Sequence, residues 1–579
     1  MESMPATIDG RGPSLTEDPA LGLSNRQKLE ILGAVLLALF LGALDQTIVS
    51  TAMPQILTDL NGSALYTWVI TIYLLTSTIT VPFYGKLSDL FGRKPLLMFG
   101  ISVFLIGSAL SGLSQTMEQL IIFRGIQGIG AGALFPISLA VIGDLFSPAE
   151  RGRYQGLFGA VFGLSFILGP AIGGLLTDYA SWHWVFFVNI PIGIISLFVI
   201  WRLLPTVRRP DASRNLDWLG GGVFAVAISF LLVGLTNKSG LTSAGVPNEW
   251  TDFTVGGFLL IAAVLSAIFL LIESRAKEPI VPLSLWRDRT YASSIVSTFL
   301  ISFGFFGAII FLPRWFQVVR GESATLSGYL LFPLLIGLIG SSIVSGILVS
   351  RTGRYKIIVL SGIAIMAVGL VLMRQLTATT EYPQMFLWMF VTGVGIGPTL
   401  SVFTIIVQNA VPFSMLGVAT SNLTFFRQIG GTVGLAIAGT VFGNSLLNRL
   451  PTEIVAALPP ALRPQAQEML GSGAGFNVNP NDLTGVGQSF GAAVAAQVPA
   501  LQPLIPNLDA AFHQAMSLSI ADTFGIGIVT TGLAFAAALF MRELPLRSAN
   551  TDAVANQALE AAAAEGGPQP RFRESPVTE

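Results

Sequence analysis

The sequence predicts an all-α membrane protein of fourteen spanning helices, arranged as two six-helix bundles with two helices inserted between them. Three observations carry this. The 579-residue chain is 52% hydrophobic and 11% charged, with mean hydropathy +0.71, the balance of a polypeptide that resides in a bilayer. Fourteen apolar runs are each long enough to cross a hydrocarbon layer of about 30 Å. A charged, glycine-bearing stretch between the second and third runs recurs 261 residues later, so the chain carries an internal repeat.

Residues 1–27 are polar and rich in Gly, Pro, Ser and acids, without the basic-then-apolar layout of a cleaved signal, and are expected to form a disordered cytoplasmic tail. Apolar runs near 29–52, 65–85, 95–114, 119–143, 153–176 and 184–204 make an N-terminal bundle over 28–204. Runs at 217–236 and 254–273 sit in a linker of 205–275 and read as an inserted pair. Runs at 291–313, 326–349, 356–373, 384–407 and 415–442 supply the first five helices of a C-terminal bundle over 276–442, and 521–541 supplies its sixth. Residues 443–520 are expected to be a long outer loop with a short amphipathic helix around Thr452 to Leu470, and 542–579 a disordered cytoplasmic tail.

Lysine and arginine test this count. With both termini cytoplasmic, 23 of the 31 basic residues fall in cytoplasmic tails and loops, 6 fall outside, and Arg124 and Arg427 lie within spans. One missed helix would scramble every later loop, so count and orientation support each other.

The repeated stretch is Gly85-Lys-Leu-Ser-Asp-Leu-Phe-Gly-Arg-Lys-Pro95. Gly85 permits close helix packing, Gly92 a sharp turn, and Pro95 the start of the next helix. Asp89 and Arg93 sit four apart, within reach on a helical backbone. The second copy, Gly346-Ile-Leu-Val-Ser-Arg-Thr-Gly-Arg-Tyr-Lys356, matches at Gly, Leu, Gly and Arg but has Ser350 in place of Asp89. The halves are related in parallel, and whatever the acid does, the N-terminal half does alone. The pattern G-x-L-x-D-x-x-G-R-K resembles the signature loop between helices 2 and 3 of the major facilitator superfamily. The fourteen-span plan resembles its drug:proton antiporter branch. That resemblance implies the major facilitator fold and two bundles that rock about a midplane site.

Asp45 is the only acid well inside a predicted span. A carboxylate in hydrocarbon is costly unless paired or protonated, so Asp45 is either a proton-exchanging group or a sign that span 1 has reached water there. Arg124 opens Arg-Gly-Ile-Gln-Gly-Ile-Gly-Ala-Gly132 in span 4. At 1.5 Å per residue, Asp45 and Arg124 lie about 10 and 8 Å from the outer ends of their spans, at similar depth. A charge pair would explain how each is tolerated, serving proton coupling or only helix register. The segment resembles the superfamily motif R-x-x-Q-G-x-G, whose arginine is implicated in proton coupling. Gly128, Gly130 and Gly132 sit mid-span with no preceding strand, so they read as close helix packing. No P-loop sequence occurs, and a proton gradient is the natural driver.

Gly169, Pro170, Gly173 and Gly174 in span 5 resemble the superfamily's antiporter motif, which favours export over uptake; Pro170 bends the helix. In the resembling family an acid placed as Asp144 is, at the inner end of span 4, joins the hairpin acid and arginine. Asp89, Arg93 and Asp144 are therefore a candidate conformational latch, while Lys86 and Lys94 read equally as solvated loop charges. Gln46, Tyr73, Gln127 and Arg427 are candidate lining for a substrate cavity. Arg427 is expected to find no acid in the C-terminal spans and to meet either substrate or backbone carbonyls. Trp182, His183 and Trp184 read as an interface anchor, and Asn189-Ile-Pro191 belongs to the family pattern without an assigned role.

Net charge is −1 with dispersed basic residues, which argues against a nucleic-acid partner. No cysteine and only two histidines exclude disulfides and a Cys/His zinc site. No metal or cofactor is implied, and no nucleophile, base and orienting group stand at an enzyme's spacing. The expected function is proton-coupled export of lipophilic monovalent cations or neutral amphiphiles. Its partners are a small lipophilic substrate, protons and the lipid bilayer. Export of lipids or glycolipids, aided by an outer-side accessory protein, and a non-transporting sensor are the alternatives. Absent cysteine and a short tail point to a bacterial plasma membrane, although Asn61-Gly-Ser63 and Asn237-Lys-Ser239 leave a eukaryotic origin open.

Overall fold

The computed structural model describes residues 23–60, 65–205, 217–238, 248–460, 462–464, 490–491 and 499–546, and every regular element among them is helical. Fourteen of these helices are long and apolar enough to cross a membrane. The first six are α1 (Asn25–Asp59), α2 (Trp68–Phe91), α3 (Arg93–Gly112), α4 (Met117–Leu145), α5 (Glu150–Tyr179) and α6 (Trp184–Leu203). The next two are α7 (Trp218–Lys238) and α8 (Phe253–Glu273). The last six are α9 (Arg289–Val319), α10 (Thr325–Thr352), α11 (Tyr355–Met373), α12 (Tyr382–Ala410), α13 (Phe413–Ala457) and α14 (Gln502–Leu539). An even number of crossings returns α14 to the face where α1 begins, here the tail face; the other is the far face.

Helix starts follow local capping chemistry. Ser24 and Gln27 form a capping box at α1. Thr116 accepts the Gln119 amide at α4, and Asp288 accepts the Tyr291 amide at α9. Gly92 between α2 and α3 has φ 94°, and Gly353 between α10 and α11 has φ 68°, a region that residues with a β-carbon avoid. They occupy equivalent positions of the two copies, so each copy turns on a positive-φ glycine, although ψ is 156° at Gly92 and −6° at Gly353.

The apolar core divides between the halves. Leu32, Val35, Phe104, Leu134 and Ile137 lie in one cluster from α1, α3 and α4, and Tyr291, Trp315, Leu334, Met366 and Phe403 lie in a larger one from α9 to α12. The inserted pair fills neither. Phe224 and Ile228 of α7 and Phe269 of α8 pack with Leu75 and Val81 of α2 and Phe425 and Ile429 of α13, so the pair spans the seam between the halves.

The outer region departs from expectation. Residues 443–457 continue α13 and residues 505–520 belong to α14, so the expected 443–520 loop is helical at both ends, and Thr452 to Ala457 end a long helix instead of starting a short one. Hydropathy falls after residue 442, which ended the predicted span. However, Leu446, Leu450, Ile454 and Leu458 recur every fourth residue, all buried in a cluster shared with Leu508, Ala511 and Phe512 of α14. Phe490 stacks on Phe512 at 4.6 Å. Ile454→Ala is expected to cost about 2–4 kcal/mol by opening a cavity, read as a lower thermal midpoint in detergent. Residues 465–489 and 492–498, the tails 1–22 and 547–579, and Asn61-Gly-Ser63 lie outside the described residues.

Candidate functional site

Asp45 of α1 and Arg124 of α4 meet inside the N-terminal half. Arg124 Nη1 lies 2.5 Å from Asp45 Oδ2 and donates to Gln127 Oε1 at 2.8 Å. Gln127 Nε2 donates to Asp45 Oδ1 at 2.8 Å, and Asn189 Nδ2 of α6 approaches the same oxygen at 3.3 Å. Asn189 also donates to Ser108 Oγ of α3, whose hydroxyl donates to the Phe186 carbonyl. The guanidinium stacks over the Tyr73 ring at 4.0 Å. Asp45, Gln127, Asn189 and Ser108 are fully buried, and Arg124 is 2% exposed.

Small residues bring the helices this close. A β-carbon on Gly107 of α3 would lie 2.7 Å from Gln127 Cβ, and one on Gly128 would collide with Thr76 and the Tyr73 carbonyl of α2. Arg124 and Gln127, three apart, then share the face of α4 that meets Asp45. A proton added to Asp45 removes one anionic acceptor, yet Arg124 keeps Gln127 Oε1 and the Tyr73 face.

The hairpin residues form a second cluster, at the tail face. Arg93 Nη1 lies 2.6 Å from Asp89 Oδ1, and Arg93 Nε donates to Asp144 Oδ2 at 3.0 Å. Arg93 Nη1 also reaches Ser88 Oγ at 2.6 Å. Asp89 in turn accepts the backbone amides of Gly417 and Val418 at 3.0 and 2.8 Å, at the start of α13 in the other half. The carboxylate thus caps the positive end of a helix across the bundle interface. A β-carbon on Gly85 would overlap Ser421 Oγ and sit 2.8 Å from the Gly417 carbonyl. Its repeat partner Gly346 abuts the Gly152 carbonyl at the start of α5. There Ser350, the counterpart of Asp89, has a buried Oγ without a hydrogen bond. The two halves touch by pseudo-symmetric glycine contacts, and one contact alone carries a carboxylate cap. Gln155 Nε2 of α5 adds a bond to Gln408 Oε1 of α12 at 2.7 Å.

Other expected residues fall in different places. A β-carbon on Gly169 would overlap Thr47 Oγ1, and one on Gly173 would overlap Thr51 Oγ1 and approach the Ile48 carbonyl, so these glycines seat α5 on α1 just beyond Asp45. Pro170 packs beside Gly328, and Gly174 faces Thr325, both of α10. Gln127, expected to line a cavity, is consumed by the buried cluster, Tyr73 lies under Arg124, and Gln46 is exposed. Arg427 stands apart between α9 and α12. Asp522, midway along α14, pairs with Arg449 at 2.9 Å, so the C-terminal half does hold an acid, committed elsewhere.

Lys86 is not a solvated charge: it is buried, 2.5 Å from Glu278 beyond the inserted pair. Lys94 donates to the Trp201 carbonyl at 2.7 Å. Trp182 is buried with Nε1 on Asp59 Oδ2, so within the expected anchor Trp184 is the exposed tryptophan. Burial pushes the adjacent His183 imidazole below its ordinary value, with Asp59 acting in the opposite sense. Asn189 is the contact that sequence reasoning left without a role; its one signal was an amide within an apolar run. The capping of α13 by Asp89 has no side-chain signal at all on the donating end, because backbone amides are common to nearly every residue.

Two parallel-related helical halves, shut against each other at one face and holding a buried charged cluster in one of them, define a membrane transporter. The chain belongs to the Major Facilitator Superfamily, whose family model residues 35–435 match, a family of transporters and not of enzymes. It is 36% identical to the multidrug transporter protein MdtP of Bacillus subtilis over 545 residues, covering 94% of this chain and 97% of that protein. It is also 36% identical to multidrug resistance protein 3 of Bacillus subtilis over 518 residues, 89% of this chain and 95% of that one. In fold it resembles the proton:xylose symporter XylE, with TM-score 0.54 at 14% identity, covering 90% of this chain and 98% of that chain.

Proposed function

We propose that this protein is a proton-coupled exporter, a drug:proton antiporter, of lipophilic cationic or neutral amphiphilic compounds that works by alternating access. The observation that carries this is the buried Asp45 carboxylate, held by Arg124, Gln127 and Asn189 within the N-terminal half. An acid sequestered at this depth is a functional group by default, and its charge change rearranges the packing of α1, α4 and α6. Two relatives covering nine-tenths of the chain carry multidrug names, which supports drug-like cargo and a bacterial plasma membrane. The excess of basic residues on the tail face supports a cytoplasmic tail face. On this orientation Asp89, Arg93 and Asp144 latch the cytoplasmic side.

The test is proton release from the purified protein in detergent on adding ethidium, comparing the native chain with Asp45→Asn. Release from the native chain, and none from the variant, is the expected result. If the two behave alike, Asp45 does not couple drug to proton.

A further inference from the structure

A buried cation with no counterion among the described residues stands in the C-terminal half. Arg427 of α13 is 8% exposed and its Nη2 has no hydrogen-bond partner. It faces a cavity of about 10 Å³ with Thr298, Ser302 and Phe305 of α9 and Thr399 and Leu400 of α12. Thr298 Oγ1 is likewise buried and unpartnered. The Ser302 and Thr399 hydroxyls already donate to the Thr298 and Ile396 carbonyls. The donors left for an occupant are therefore Arg427 Nη2 and the Thr298 hydroxyl, and no carboxylate lines the space.

An unpaired guanidinium at membrane depth is costly and marks a site whose partner arrives with a ligand. A cavity of this size admits one water-sized group, so what enters is the tip of a molecule and not its body. We propose that Arg427 and Thr298 form a subsite that takes one oxygen of a carboxylate terminus, so that the preferred cargo is a zwitterionic amphiphile and not a simple lipophilic cation. This rests on the reading of the chain as an amphiphile exporter and narrows its cargo. A site built to hydrogen-bond a group rejects the analogue that lacks it more strongly than an apolar pocket rejects a misfit.

The test uses the full chain in nanodiscs and a matched pair of dyes, rhodamine B, which carries a free carboxylate, and its ethyl ester. Binding is followed by fluorescence anisotropy. The native chain is expected to prefer the acid by about tenfold, the scale of one charge-assisted hydrogen bond. Arg427→Gln should erase the preference by weakening binding of the acid about tenfold relative to the ester, and Arg427→Lys should restore part of it. If Arg427→Gln fails to fold, Thr298→Val, which keeps the side-chain shape, decides on the same criterion. No preference in the native chain, or a preference that survives the deciding variant, overturns the proposal. The ethidium assay is independent of this one: an Asp45-dependent proton response without acid preference overturns the subsite and leaves the export reading standing. Acid preference without a proton response does the reverse.

Discussion

Arg124→Leu is expected to destabilise the protein by about 3–5 kcal/mol, because it leaves a buried carboxylate facing the space its partner filled. Asp45 is fully buried and would retain neutral donors alone, among them the amides of Gln127 and Asn189. The double variant Asp45→Asn with Arg124→Gln, which removes both charges and keeps hydrogen-bonding capacity, is expected to recover most of that loss. Both should be inactive in transport. Thermal midpoints in detergent read the first effect, and an efflux assay reads the second. If the single and double variants unfold at the same temperature, pairing with Arg124 is not what makes Asp45 tolerable. A double variant that still exports against a gradient would remove the pair from the mechanism.

Gly85→Leu should abolish transport by preventing closure of the tail face. The built β-carbon already overlaps Ser421 and crowds the Gly417 carbonyl, and both belong to the start of α13, where backbone has no room to move aside. The Asp89 bonds to Gly417 and Val418 lie on the same contact, so one side chain would break glycine packing and carboxylate cap together. The chain contains no cysteine, which allows two spin labels to be placed across the tail face without removing native thiols. The expected result is a distance distribution shifted wholly to the open form, with substrate binding retained. Unchanged distances would mean that the close approach at Gly85 is incidental to closure.

Much of this fold was legible because a bilayer imposes a simple grammar: apolar length gives the spans, basic loops give their alternation, and glycine at equal spacing gives the repeat. The meeting of Asp45 and Arg124 followed from depth alone, since two charges at the same level of neighbouring helices have strong reason to meet. What escaped was contact that hydropathy does not encode. Asn189 and Ser108 complete the cluster from α6 and α3, and neither residue type announces which neighbour it will find. Lys86 was ambiguous because its partner, Glu278, lies 192 residues away beyond the inserted pair. The outer continuation of α13 was hidden by a rule tuned to hydrocarbon, although the four-residue spacing of Leu446, Leu450 and Ile454 was visible to a rule tuned to helix packing.

The continuity of α13 gives it a mechanical consequence. Leu416–Ala457 form a single helix of 42 residues, with the Asp89 contact at Gly417 near one tip and the Arg449 pair with Asp522 toward the other. Those two points are about 48 Å apart at 1.5 Å per residue, so a tilt of about five degrees pivoting at the first sweeps the second by about 4 Å. The helix is a lever. Because its outer turns pack on α14 in the same cluster, bundles that rock as units would carry the Arg449–Asp522 pair along intact, so a small release at the tail face becomes a displacement of the whole far end of that half.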